Sequence, residues 1–122
     1  MKYIFFTIAL FVTLYNQKAL IIEDGRDWSV KGIIVYHAQE QELNETKLLN
    51  LSQCESSFIW DAKGDHGHAR GIFQYHKPTF ERYSKMYGQK LDYYSSEDQA
   101  KLTAWVWKNH PKEMRAWTCY KG

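Results

Sequence analysis

Residues 54–74 read CESSFIWDAKGDHGHARGIFQ and join the end of a helix to a glycine-rich loop. Before this stretch, leucines recur at helical spacing and Asn44 is a suitable N-cap, so we predict a helix that ends around Ser57. Residues 60–71 carry three glycines and no helical period, which predicts a loop or a small β-hairpin. The stretch therefore indicates a mainly α (α+β) fold with one irregular or hairpin segment.

Glu55 belongs to the apolar stripe of this helix. At 100° per residue, it points within about 20° of Leu48 and within about 40° of Leu51. A carboxyl group in that position loses hydration, which raises its pKa and suits it to act as a general acid. Helical spacing alone leaves an alternative open, in which Glu55 reaches solvent at the helix end or pairs with Arg70 or a lysine.

Three further helices are predicted from apolar periodicity and from end signals. The first spans residues 29–41, and another begins near Pro78 and stops at Gly88. A capping box formed by Ser96 and Gln99 opens the last and longest helix. The fold is therefore expected to be mostly helical outside the glycine-rich loop.

The composition limits the chain to one domain, which we assign to residues 29–122 of the 122 present. Lys and Arg number 16 against 14 Asp and Glu, and this net charge of +2 is too balanced for nucleic acid to be the main partner. A weakly basic surface tolerates an anionic polymer without requiring one. The 9 Tyr, 6 Phe and 5 Trp make it necessary for some rings to lie at the surface of so small a domain.

Residues 1–19 have the pattern of a secretory signal peptide. A charged start precedes the uncharged run Tyr3–Tyr15, which is shorter than the roughly 20 residues of a membrane-spanning helix. Gln17 departs from the small residue expected before a cleavage site, so an uncleaved membrane anchor stays open as an alternative. Residues 20–28 are predicted to be a linker. We therefore expect a secreted, periplasmic or cell-wall associated protein in an oxidising compartment.

Six short motifs follow one another along most of the remaining chain. In order they are Glu55-Ser56, Asp61-Ala62-Lys63-Gly64-Asp65, Gly71-Ile72-Phe73-Gln74, Thr79-Phe80, Asp98-Gln99 and Trp117-Thr118-Cys119-Tyr120. Their order and spacing resemble the lysozyme-like, soluble lytic transglycosylase superfamily, and most closely its small bacterial and phage domains. The similarity covers roughly residues 36–120. Glu-Ser alone is weak evidence, whereas the first three motifs together are specific.

The resemblance implies a lysozyme-like helical domain that cleaves the β-1,4-linked glycan strands of peptidoglycan. It implies that Glu55 is the general acid, which protonates the leaving glycosidic oxygen. It further implies that Gln74 hydrogen-bonds the sugar near the scissile bond. Ser56 would support the start of the loop, and Phe73 would pack under the cleft. No cofactor is implied.

A second carboxylate is not fixed by the motifs. Glycosidases commonly pair two carboxyl groups across the scissile bond, and Asp61 and Asp65 are the carboxylates of the loop that follows Glu55. We prefer Asp65 as a second catalytic group, although it is also suited to a simple turn. The Ala-Tyr-Asn motif typical of soluble transglycosylases is missing from the sequence, so hydrolysis and 1,6-anhydro transglycosylation both stay open. Aromatic rings that suit a sugar-binding groove are Tyr93, Tyr94 and Trp117.

The two cysteines, Cys54 and Cys119, are expected to form a disulfide. Export and the Trp-x-Cys ending both favour this bond, and the alternative is two free thiols. If bridged, they would tie the Glu55 helix to the C-terminus. A Cys54 nucleophile assisted by a histidine is a less favoured alternative.

Two other hypotheses compete with an active glycosidase. The domain is alternatively a glycan-binding module without activity, or a structural or partner-binding domain on the same fold. Histidines 66, 68 and 76 raise the question of a metal site, but a polar glycine-flexible loop explains them better, so no metal is predicted. The expected partner is a peptidoglycan glycan strand and not nucleic acid. A membrane is involved only through an uncleaved N-terminal segment, and the protein is expected to be a monomer.

Overall fold

The computed structural model describes residues 28–122. The predicted signal peptide, and all of the predicted linker except its last residue, lie outside the described residues. Within residues 28–122, no helix is both long enough and apolar enough to cross a membrane. The described part is mainly helical with a small antiparallel sheet, which confirms the predicted α+β class.

The elements follow one another in a simple order. The helices are α1 (Val30–Glu40), α2 (Glu45–Ser56), α3 (Lys77–Tyr87) and α4 (Ser96–Asn109), and the strands are β1 (Lys63–Gly64), β2 (Ala69–Arg70) and β3 (Tyr75–His76). Two short 3₁₀ helices, Asp65–Gly67 and Pro111–Ala116, lie between β1 and β2 and after α4. All three strands, and hence the whole sheet, lie between α2 and α3.

Local end signals explain most helix boundaries. The Asn44 side chain accepts the Thr46 N–H at 2.9 Å, and α3 ends at Gly88, which has a φ of 90°. Both ends are confirmed. The capping box predicted at Ser96 is wrong, because Ser95 is the N-cap of α4 and accepts the Asp98 N–H at 3.1 Å. Gln99 is instead almost completely buried, at 1 % exposure.

The glycine-rich loop is a hairpin, as one of the two alternatives predicted. Lys63 pairs with Arg70 in antiparallel β1 and β2, and β3 extends the sheet from the other edge of β2. The connection from β2 to β3, residues 71–74, is a tight turn and not a strand. Its two ends, Gly71 and Gln74, have φ values of 86° and 52°.

The core forms around α4. Leu102, Ala104 and Val106 have no exposed surface, and α4 packs against α1 and the second 3₁₀ helix. Burial of each such aliphatic side chain contributes about 1.5–3 kcal/mol to stability. A polar contact reinforces the α1–α4 packing, because the buried His37 ring lies 2.9 Å from a carboxylate oxygen of Glu97. This core holds α2 and the hairpin in position.

Candidate active site

Hydrogen bonds of the Gln99 side chain hold the turn between β2 and β3 in place. The side-chain oxygen of Gln99 accepts the Phe73 N–H at 3.1 Å, and its amide group donates to the carbonyls of Arg70 and Tyr93 at 3.1 and 3.0 Å. A Cβ atom on Gly71 would lie 2.2 Å from the Gln99 Nε2 atom. Glycine is therefore required at position 71 both for its φ and for this close approach.

A cavity of about 350 Å³ lies where α2, the hairpin and the C-terminal segment meet. Six of the residues that line it are Glu55, Asp65, Gln74, His76, Thr79 and Trp117. The predicted general acid and the preferred second carboxylate therefore share one cavity, which we call the Glu55 cavity. Asp61, the other candidate carboxylate, is exposed and does not line it.

Glu55 is half-buried in the wall of this cavity. Burial raises the pKa of its carboxyl group, and a hydrogen bond from the Cys119 backbone N–H lowers it by a smaller amount. Within residues 28–122 no ion pair involves Glu55, and the Arg70 guanidinium lies instead over the Tyr94 ring, 4.7 Å from its centre. The alternative in which Arg70 or a lysine pairs with Glu55 is thus not adopted.

The disulfide between Cys54 and Cys119 confirms the predicted pairing. Its two Cα atoms are 6.0 Å apart, and it joins α2 to the segment after the last 3₁₀ helix. Residues 116–118 consequently form one wall of the Glu55 cavity. Since both cysteines are used in this bond, the structure contradicts a Cys54 nucleophile.

Asp65 lies at the outer edge of the same cavity. Its carboxylate oxygen Oδ2 is 2.9 Å from Nε2 of His76, and both side chains are about half exposed. Asp65 itself has a φ of 51°, which a non-glycine residue adopts at some cost in free energy. This backbone conformation and the His76 contact together orient the carboxylate.

The Gln74 amide group is hydrogen-bonded within the hairpin, whereas the motif implies that Gln74 bonds the sugar. Its amide group donates to the carbonyl oxygens of Ala62 and Gly71 at 3.0 and 2.9 Å. Its Oε1 atom lies over Gly64, where an added Cβ would come within 2.4 Å of it. Both amide hydrogens of Gln74 are therefore used within the protein and not offered to a ligand.

Ser56 and Phe73 do not line the Glu55 cavity, but each is directly next to a residue that does. The Ser56 hydroxyl donates to the Ile72 carbonyl at 2.8 Å, which joins the end of α2 to the turn. Phe73 has no exposed surface. Both observations agree with supporting positions, and they exclude Phe73 as a direct ligand contact.

Two of the three rings expected in a sugar-binding groove are largely buried, and of these two Trp117 still lines the Glu55 cavity. Trp117 is 7 % exposed, donates its indole N–H to the Phe73 carbonyl at 2.8 Å and stacks on Tyr83. Tyr93 is 9 % exposed, and its hydroxyl donates to the Tyr75 carbonyl. Burial is favourable because each polar tip finds an internal acceptor. Tyr94, at 55 % exposure, is the ring of the three that faces solvent.

His76, Thr79, Ala116 and Thr118 are cavity residues that the sequence did not single out as such. The sequence placed His76 in a hypothetical metal cluster, but its ring contacts Asp65. In the described part of the chain, no three His, Cys, Asp or Glu side chains are grouped in a way that would hold a metal ion. The contact between Asp65 and His76 could have been predicted from their spacing. They lie eleven positions apart, on opposite sides of a predicted hairpin.

Comparisons with family models, with curated proteins and with solved structures find no match to this chain.

Proposed function

We propose that this protein cleaves the glycan strands of peptidoglycan, with Glu55 as general acid and base. The observation that carries the proposal is the position of Glu55, half-buried in a cavity that also contains Asp65 and Gln74. Burial raises the pKa of Glu55, so more of the carboxyl group stays protonated near neutral pH than in a solvated glutamate. The order of the Glu-Ser, Gly-Asp and Gly-Ile-Phe-Gln motifs supports a lysozyme-like domain.

In the first step, protonated Glu55 donates its proton to the glycosidic oxygen while the bond from that oxygen to the sugar C1 breaks. The backbone N–H of Cys119 stabilises the carboxylate that remains. Water then adds to C1, and Glu55 recovers a proton from it, which completes hydrolysis. If the muramyl 6-hydroxyl adds instead, Glu55 takes the hydroxyl proton and a 1,6-anhydro end forms.

Asp65 is proposed to orient the attacking water or to stabilise positive charge at C1. It lines the same cavity as Glu55 and is held by His76, whereas Asp61 lies outside the cavity. Either task requires a carboxylate across the scissile bond from the acid.

The second candidate function is a glycan-binding module that has lost activity. One observation favours it: both Gln74 amide hydrogens, which the motif assigns to the sugar near the scissile bond, are used within the protein.

We further propose that the protein acts outside the cytoplasm, in the periplasm or at the cell wall. The Cys54–Cys119 disulfide supports this location, because disulfides persist in oxidising compartments. The N-terminal apolar run adds independent support from the sequence.

Incubation of the purified protein with isolated cell-wall sacculi tests the proposal. We expect soluble muropeptides to be released, and mass spectrometry of their ends to distinguish reducing from 1,6-anhydro products. Binding to sacculi without release of products would favour the glycan-binding module. Neither binding nor release would reject both functions.

A further inference from the structure

A second and larger cavity, of about 880 Å³, lies between α3 and the segment 88–94. A third cavity, of about 380 Å³, lies between it and the Glu55 cavity. The third cavity shares His76 with the Glu55 cavity and shares Lys77 and Tyr94 with the large one. The third cavity is therefore adjacent to both of the others.

The lining of the second and third cavities carries excess positive charge. Arg70, Lys77, Lys85 and Lys90 line the second and third cavities, against the acidic residues Glu81 and Asp92. The Asp92 carboxylate is already used locally, because it accepts the Tyr94 N–H at 2.9 Å. The side chains of the three lysines are exposed, so their charges face solvent at the cavity rim.

Arg70 is the cation whose geometry is most restricted. Its guanidinium lies over the ring of Tyr94, with the central carbon 4.7 Å from the ring centre. Among residues 28–122, no carboxylate forms an ion pair with it. A planar guanidinium held in this way is well suited to bind a carboxylate through two parallel hydrogen bonds.

Ser84 provides an independent sign of a missing ligand. It is 6 % exposed and lies on the wall of the large cavity, and its hydroxyl oxygen has no hydrogen-bond partner in the described structure. A buried hydroxyl without a partner is unfavourable by about 1–3 kcal/mol. A polar ligand group in the cavity would remove that cost after a small shift of the side chain.

We propose that the second and third cavities together bind a carboxylate-bearing peptide attached to the glycan strand. This inference rests on the proposed function, since it takes the strand to occupy the Glu55 cavity. The peptide would extend from the strand past His76, with a carboxylate on Arg70 and Lys77 and an apolar side chain against Tyr94. The site would make the protein select peptide-bearing strands over bare glycan.

Calorimetric titration of the full chain tests the site with three soluble probes. These are a muropeptide disaccharide with its acidic peptide, the same disaccharide without peptide, and the free peptide. We expect the peptide-bearing disaccharide to bind about tenfold more tightly than the bare one, as charged hydrogen bonds allow. Arg70→Gln and Lys77→Gln should each remove most of this difference.

Two further variants keep the test independent of folding effects. Lys85→Gln combined with Lys90→Gln changes exposed side chains at the cavity rim and should also weaken peptide binding. Lys108→Gln removes an exposed lysine of α4 that lines neither cavity and should bind like wild type. Equal affinity of wild type for the two disaccharides would overturn the inference, as would unchanged binding by the Arg70 and Lys77 variants.

The free peptide separates this inference from the proposed function. If wild type cleaves strands but peptide adds nothing to affinity, the peptide site alone is wrong. If no strand is cleaved and yet the peptide binds wild type but not Arg70→Gln, the site is correct and the glycosidase proposal fails.

Discussion

The backbone N–H of Cys119 interacts with the Glu55 carboxyl group and lowers its pKa against the effect of burial, while the Cys119 side chain is bonded to Cys54, the residue directly before Glu55. The C-terminal segment is thereby fixed against the end of α2 at two adjacent points. One contact is covalent and stabilises the fold, and the other is polar and acts on the proposed catalytic group. The position of Glu55 thus depends on residues that are far away in the sequence.

Removal of the disulfide should destabilise the domain strongly. Cys54→Ala combined with Cys119→Ala opens a link between residues separated by 65 positions, and chain entropy predicts a loss of about 4 kcal/mol in unfolding free energy. Denaturant unfolding measures this loss. Reductant should lower the stability of wild type and leave the double variant unchanged, and equal stability of the two proteins would contradict the account.

Gly71 and Gly67 form a matched pair for testing the close contact between Gln99 and the turn that joins β2 to β3. Their φ values are 86° and 88°, but a Cβ on Gly67 meets nothing within 4 Å, whereas one on Gly71 collides with Gln99. We expect Gly67→Ala to cost about 1 kcal/mol from backbone strain alone. Gly71→Ala should cost about 2–4 kcal/mol because it also displaces Gln99. Equal costs in thermal or denaturant unfolding would show that the Gln99 contact is unimportant.

The raised pKa of Glu55 predicts how stability depends on pH. Because the folded state binds this proton more tightly than the unfolded state, the group's favourable contribution is present below the unfolded pKa. It is lost as the pH rises through the higher folded pKa. Glu55→Gln should therefore gain stability relative to wild type between about pH 4 and pH 7, by less than about 1 kcal/mol for a half-solvated group.

Urea unfolding of wild type and Glu55→Gln at both pH values measures that difference. A constant offset between the two proteins would mean that the folded environment does not disfavour the Glu55 carboxylate. A change in the opposite direction would mean that the hydrogen bond from Cys119 outweighs burial.

Asp65 and Asp61 provide a second matched comparison. Asp65→Asn removes a carboxylate from the Glu55 cavity and should lower the rate of glycan cleavage by about 10²-fold if it orients water. Asp61→Asn changes an exposed side chain outside that cavity and should leave the rate unchanged. Equal rates for the two variants would remove Asp65 from the mechanism.

Local signals in the sequence were sufficient to predict the four helices, and they left the glycine-rich segment as either a loop or a hairpin. Asn44 begins α2 and Gly88 ends α3 through contacts within a few residues, so both positions can be predicted from sequence spacing alone. The α4 capping box failed because Gln99 has stronger partners in the turn across the core than at its own N-cap. Sequence spacing does not contain those distant partners.

The part of the candidate site that lies on a single helix could be predicted from the sequence. The direction of Glu55 follows from the period of α2, and its half-buried position agrees with that expectation. The fate of the aromatic rings was not predictable in the same way. Trp117 and Tyr93 are buried because carbonyl groups of Phe73 and Tyr75 accept their polar hydrogens, and only the folded turn brings those carbonyls into reach.

The most direct test of the central claim compares Glu55→Gln with Glu45→Gln. Both variants remove one carboxylate from α2, but Glu45 lies at its N-terminal end and does not line the Glu55 cavity. The measurement is the initial rate at which each purified protein releases soluble muropeptides from sacculi. We expect Glu45→Gln to retain the wild-type rate and Glu55→Gln to lose at least about 10²-fold, the usual effect of a general acid. Full activity of Glu55→Gln would contradict the account.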